Sequence, residues 1–140
     1  MTEQAVKLQG ICQTCGSPCD GWAVQNARDG RLRWDLTWNC RACGTVSDDG
    51  DWGPAPDPWR EELLSQHGTY RLRLEEGESG GAKALKVFRE VFGGSLKDAQ
   101  ESARILRQHG YDGTFVETEL LRERLLQEGV RSVVARVGND

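Results

Sequence analysis

Two short steps, Cys12-Gln13-Thr14-Cys15-Gly16 and Cys40-Arg41-Ala42-Cys43-Gly44, constrain this chain more than anything else in its 140 residues. Two cysteines three apart in a tight turn can aim both sulfurs at one ion. The glycine that follows lets the chain turn beneath the ion with a positive φ, so that backbone N–H groups reach the sulfurs. Two such knuckles supply four thiolates, a closed tetrahedral set. The expected cofactor is therefore one Zn²⁺ ion held by Cys12, Cys15, Cys40 and Cys43. With no open coordination position, an ion so held is structural rather than catalytic. In a segment this small it also contributes folding free energy directly. Thioredoxin-type redox chemistry would need a βαβ setting, which neither CxxC step has. The fifth cysteine, Cys19, follows in "CGSPC". It either replaces a neighbour as ligand or is a bystander thiol, and the spacing leaves both open.

The 24 residues between the knuckles must form a hairpin, and the sequence is patterned for one. In "RLRWDLTWNC", Leu32, Trp34, Leu36, Trp38 and Cys40 fall on one face of a strand, and Arg31, Arg33, Asp35, Thr37 and Asn39 on the other. Asp29-Gly30 is a two-residue turn signal, with "GWAVQNA" as the incoming strand. Knuckle, strand, turn, strand, knuckle is a zinc ribbon, placed over residues 9–50. Its tryptophans are expected to pack against the knuckles and the seam with the rest of the chain. A stacking platform for bases is the alternative use of these rings, with Arg31, Arg33 and Arg41 as the basic partners.

Three of the four prolines stand two apart in "DWGPAPDP", which reads as a stiff connector over 51–58. A short helix follows, with Asp57 at its N-cap, Pro58 at its first position and Gly68 at its end; connector and helix together occupy 51–68. Beyond it the periodicities predict strand, three helices and strand. "TYRLRL" alternates with Tyr70, Leu72 and Leu74 on one face. The first helix carries Ala82, Leu85, Phe88 and Val91 or Phe92 as its apolar stripe. Ser95 caps the next, with Asp98 three residues on in a capping box, and Ala99, Ala103 and Leu106 face inward. A third helix spans 119–127 with Leu120, Leu121, Leu125 and Leu126, and "VRSVVARV" returns as a strand. The fold class is α+β: a zinc-ribbon hairpin followed by a β-α-α-α-β sandwich over 69–138.

Charge is uneven. Residues 1–68 hold 6 Lys and Arg against 10 Asp and Glu, while residues 69–140 hold 12 of each. An acidic chain is poorly suited to binding nucleic acid through bulk charge, although a local basic face is compatible with it. No apolar run is long enough for a membrane span and no secretory leader is visible, so the expected location is the cytoplasm, with reduced thiols and no membrane partner. No Ser/His/Asp set, phosphate loop or dinucleotide fingerprint is present, and the expectation is a protein that is not an enzyme. His67 and His109 stand near helix ends before glycines. Asp48, Asp49 and Asp51 read as a solvated loop.

Residues 70–103 resemble the C-terminal domain of the bacterial large-subunit ribosomal stalk protein. The stretch "LEEGESGGAKALKVFREVFGGSLKDAQESA" fits that family without gaps, and "LLQEGVRSVVARV" resembles its closing helix, glycine and last strand, so the likeness runs to about residue 137. A more distant fold relative is the family of ClpS-like protease adaptors. The resemblance implies a domain that recruits translation GTPases through a glycine-linked helix pair. Leu85, Lys86, Arg89, Gly93, Leu96 and Lys97 match the family pattern and are the implied partner-binding residues. Gly81 and Gln100 stand where the family carries lysines, and Ser95 stands for a glycine. The zinc block replaces the family's dimerising helix and hinge. Taken together, these readings imply a zinc-binding adaptor whose stalk-like domain binds a protein partner, a translation GTPase or ribosomal component. The alternatives are a nucleic-acid-binding zinc-ribbon regulator, and a stalk-like fold adopted for an unrelated task.

Overall fold

The computed structural model describes residues 2–138. The knuckles sit at one end of an antiparallel sheet of four strands, β1 (Thr2–Ile11), β2 (Pro18–Arg28), β3 (Arg31–Asn39) and β4 (Val46–Trp52), in sequential order. The expected hairpin is its middle pair, with Ala23 opposite Leu36 and Arg28 opposite Arg31 around the Asp29-Gly30 turn. Both turn residues have positive φ, 52° and 73°, as a tight hairpin with right-handed strand twist requires. The two outer strands, β1 and β4, are additions to the expected hairpin. β1 brings Val6 opposite Ala23 and Leu8 opposite Gly21. β4 turns the expected acidic loop into an edge strand, whose Asp48, Asp49 and Asp51 guard the open edge against pairing with another chain.

The inner face of this sheet is apolar and covered. Val6, Leu8, Ala23 and Leu36 are buried against Leu63 of α1 (Asp57–His67), with Trp34, Trp38 and Trp59 packed around them. Trp38 lies flat across Gly10 and Gly21. A Cβ at Gly21 would come within 2.6 Å of the indole, so glycine is there for close approach. The link from β4 to α1 is shorter than expected, because Asp51 and Trp52 are strand residues. The helix N-cap is Pro56 rather than Asp57. Asp57 occupies the first turn, where its carboxylate faces the positive end of the helix dipole. The C-terminal end of α1 is fastened to β1: Gln66 donates to the Lys7 carbonyl at 3.0 Å, and His67 Nε2 lies 2.7 Å from the Ala5 carbonyl.

The second half contains β5 (Tyr70–Leu74), α2 (Gly81–Phe92), α3 (Leu96–Gln108), β6 (Tyr111–Gly113), α4 (Phe115–Gln127) and β7 (Ser132–Arg136). β5 is the middle strand of a three-stranded antiparallel sheet with β6 and β7. The order is thus β-α-α-β-α-β, and the short strand β6 corrects the expected β-α-α-α-β. In α2 the buried stripe is Ala84, Val87, Phe88 and Val91, with Leu85 and Phe92 at its margins and Ala82 exposed. The expected stripe was thus rotated about a residue too far round the helix. Ala99, Ala103 and Leu106 of α3 are buried as expected, and the Ser95–Asp98 capping box forms.

Helix α4 corrects the third expected helix in two ways. It begins four residues earlier, at Phe115, because Thr114 and Glu117 form a second capping box. It also buries Val116, Glu117, Thr118, Leu120, Leu121 and Leu125, more than one face, because it touches both sheets. Leu126 is 54% exposed, contrary to the expected inward position. Leu32 of β3 shares one core cluster with residues of α2, α3 and α4. A buried polar network reinforces that seam. The Glu117 carboxylate, fully buried, accepts from Arg60 Nε at 2.9 Å, Arg60 Nη2 at 3.0 Å, Gln25 Nε2 at 3.3 Å and the Thr114 N–H at 3.0 Å. Thr114 Oγ1 in turn donates to Gln25 Oε1 at 2.5 Å. β2, α1 and α4 meet in this one set of hydrogen bonds.

Candidate metal centre and binding surfaces

The knuckle between β1 and β2 repeats in the one between β3 and β4. The Gly16 N–H donates to the Cys12 carbonyl and the Gly44 N–H to the Cys40 carbonyl, both at 2.8 Å. The N–H groups of Cys12 and Cys40 donate to the Ser17 and Thr45 carbonyls at 2.8 and 2.9 Å. Gly16 and Gly44 have φ of 75° and 77°, a conformation that glycine adopts without strain. Antiparallel pairing through β2 and β3 then carries the two turns to the same end of the sheet, although 24 residues separate them in sequence.

This pairing brings the four sulfurs of Cys12, Cys15, Cys40 and Cys43 within 4.8 Å of one another. Cys12 and Cys43 are 3.7 Å apart, and Cys15 and Cys40 3.6 Å. A tetrahedron of sulfurs about 2.3 Å from a central ion has edges of about 3.8 Å, so the spacing fits one metal ion. Second-layer donors fit as well. The N–H groups of Cys15 and Thr14 face the Cys12 sulfur and lower its pKa. The N–H of Cys43 and then that of Ala42 serve Cys40 in the same way, yet burial and the Cys15 thiol outweigh them and push Cys40 up to about 11. The Ser17 hydroxyl and N–H pull Cys15 down to about 6. The thiols thus compete for negative charge, and a divalent cation among them removes that competition. The donor set can hold one metal ion, with all four positions filled by the protein.

Cys19 lies outside the four. It is half-buried, opposite Gly10 in the sheet, and burial followed by the charge of Cys12 raises its pKa. It lines a cleft of about 450 Å³ beside the knuckles, walled by Trp38 and Trp59.

The six residues matched to the stalk family lie along α2, its closing glycine and the first turn of α3. Leu85 is half-buried and packs on the core. Lys86 is held within the molecule, its ammonium 3.2 and 3.3 Å from the Glu128 carboxylate oxygens. Gly93 closes α2 with φ of 69°. Arg89 and Lys97 are exposed and make no ion pair among the described residues, and Leu96 is 46% exposed. Glu90, by contrast, is paired with Arg124, which also donates to the Gly30 carbonyl at 2.7 Å.

The tryptophans divide in a way the strand pattern did not foretell. Trp34 and Trp38 of the ribbon pack against the inner core, as expected, and Trp59 of α1 joins them. Trp22 is 51% and Trp52 37% exposed, and both stand on the outer face of the sheet with the arginines of β3. The alternation of "GWAVQNA" puts Trp22 on the face opposite Ala23 but does not say which face is covered.

Fold and site define an α+β protein built around a four-cysteine cluster that can hold a metal. No helix of the described residues is long and apolar enough to cross a membrane. Neither a family model, nor a curated protein, nor a solved structure matches the chain.

Proposed function

We propose that the protein is a non-enzymatic, zinc-stabilised adaptor whose α2–α3 surface binds a protein partner in the translation machinery. Zinc is the metal of choice for four thiolates in tetrahedral array, since it demands no redox change and no open position. The partner reading draws on the sequence likeness to the stalk-protein domain. The observation that carries it is the α2–α3 turn, where half-exposed Leu96 and its neighbour Lys97 open α3 and Arg89 stands in the last turn of α2, two cations that make no ion pair among the described residues. An exposed apolar side chain with unpaired cations on the same helix pair suits an acidic protein surface. Arg89 and Lys97 are the better test positions, because Lys86 is already paired. Affinity capture from the host with zinc-loaded wild type and with an Arg89→Glu/Lys97→Glu variant tests the reading. Loss of a translation GTPase or ribosomal component from the variant's capture supports it; identical partner sets remove it.

A further inference from the structure

The outer face of the first sheet carries an exposed ring, that of Trp22, with the cations Lys7 and Arg41 and the carboxylates Asp20 and Asp48 around it. Strand register puts Lys7, Trp22, Thr37 and Asp48 in one row across all four strands, and Asp20 beside Asn39 in the next. Lys7, Trp22, Thr37 and Asn39 are exposed, so no helix covers this end. Trp22 and its neighbours Lys7, Asp20, Thr37, Asn39 and Arg41 line a shallow concavity of about 250 Å³. Half of a large indole is left in water here, while three other tryptophans of the chain are packed inside. A ring left open on a strand, with polar side chains beside it, offers a flat face for stacking.

The groups around the ring say what kind of contact it is. Arg41, with a side chain 90% exposed, reaches one carboxylate, Asp20, and only at 3.9 Å. Lys7 makes no ion pair among the described residues. Asn39 adds a hydrogen-bonding side chain at the rim, while the Thr37 hydroxyl donates to the Asp48 carboxylate at 2.8 Å. Farther along the same face, Arg31 and Arg33 stack on Trp52, at 4.4 and 5.3 Å from its ring centre. Strand geometry separates Trp22 from Trp52 by two strands and four residues, roughly 17 Å. Lys7, Arg28, Arg31, Arg33 and Arg41 face Glu3, Asp20, Asp35 and Asp48 on this side. The face is thus slightly positive in a chain of net charge −4.

We infer that this face binds single-stranded nucleic acid, with Trp22 as the stacking platform for an unpaired base and Lys7 and Arg41 as its phosphate contacts. A ring standing off an open sheet meets the flat face of any unpaired base, whereas bases in a duplex are stacked out of reach. Cations on either side of the ring suit a backbone that carries one phosphate per nucleotide. Arg31 and Arg33 over Trp52 extend the track. The inference is independent of the α2–α3 surface, which lies on other elements.

The test uses the zinc-loaded full chain and fluorescein-labelled oligouridylate and oligothymidylate of about 12 nucleotides. Polyglutamate is the polyanion without bases. Anisotropy is read at about 50 mM and about 200 mM salt. Binding of either oligonucleotide should weaken roughly 5- to 150-fold in Trp22→Ala, the loss expected for one stacked base. Trp22→Phe should keep most of it. In Lys7→Gln/Arg41→Gln the salt slope should fall by about 1.4, two phosphate contacts at about 0.7 each. The uridylate and thymidylate arms separate RNA from DNA. Trp22→Thr, a good strand former, replaces Trp22→Ala if the latter loses its metal. Failure of both oligonucleotides to bind at the lower salt overturns the inference. So does binding that is indifferent to Trp22, or polyglutamate binding as tightly, which marks a site for acidic protein. The Arg89→Glu/Lys97→Glu variant should bind the oligonucleotides like wild type.

Discussion

Replacing Glu117 with alanine tests the seam that joins the two sheets. The carboxylate is fully buried and accepts four hydrogen bonds, two of them from the Arg60 guanidinium. Removing one partner of a buried ion pair costs about 3–5 kcal/mol, because the other charge is left without compensation. Arg60 retains 27% side-chain exposure and so recovers part of its hydration, which favours the lower end of that range. The Thr114 N–H also loses its capping acceptor, a further loss of about 1 kcal/mol. The expected total is about 3–4 kcal/mol, a large part of the stability of a domain this size. Urea unfolding at fixed excess zinc, followed by far-ultraviolet circular dichroism, measures it. Glu117→Leu combined with Arg60→Met, which removes both charges and fills the space, should be more stable than Glu117→Ala. A cost below about 1 kcal/mol for Glu117→Ala, or a double variant less stable than the single one, would refute the claim that an uncompensated buried charge sets the penalty.

Three further outcomes are expected. Cys40→Ser should abolish stoichiometric metal binding and the melting transition of the first sheet, whereas Cys19→Ser should retain one ion per chain, both read by metal analysis and the visible spectrum of the cobalt-substituted protein. Gly21→Ala should lower stability by about 1–3 kcal/mol in urea and shift the tryptophan emission, because the new Cβ would meet the Trp38 ring at 2.6 Å. Tyr111, half-buried against Phe88 and Phe92, has its pKa raised to about 12, first by loss of hydration and then by the charge of Glu117. The unfolded chain gives up that proton near pH 10 and the folded one near 12, so stability should fall between those values more steeply in wild type than in Tyr111→Phe, as alkaline unfolding would show.

Some of this molecule is written locally. The two CxxCG steps need only backbone turns and sulfur chemistry, so their spacing announced the four-thiol cluster before any fold was known. The strict alternation of β3, the Asp29-Gly30 turn and the Ser95–Asp98 capping box are equally short-range, and each stands where its residues placed it. The helix boundaries that went astray did so where local signals competed. Asp57 looked like a cap, yet the backbone enters the helix from Pro56, and the stripe of α2 was read from Ala82 when it starts at Ala84.

Other features belong to the tertiary structure alone. β1 and β4 are strands because β2 and β3 lie beside them; the acidic "SDDGDW" has little strand propensity of its own. The first turn of α4 carries a local signal, the Thr114-x-x-Glu117 capping box, but the helix lies between two sheets and is buried on more than one side, which erases the one-sided periodicity that betrays a surface helix. The Glu117 side chain is tolerated in the interior because residues 57 and 92 positions away in sequence supply its hydrogen-bond partners. Trp22 and Trp38 are both strand tryptophans in an alternating pattern, and one is covered while the other faces water. The sign of that difference depends on which face α1 packs against, a choice made by long-range burial and not by the neighbours of either ring.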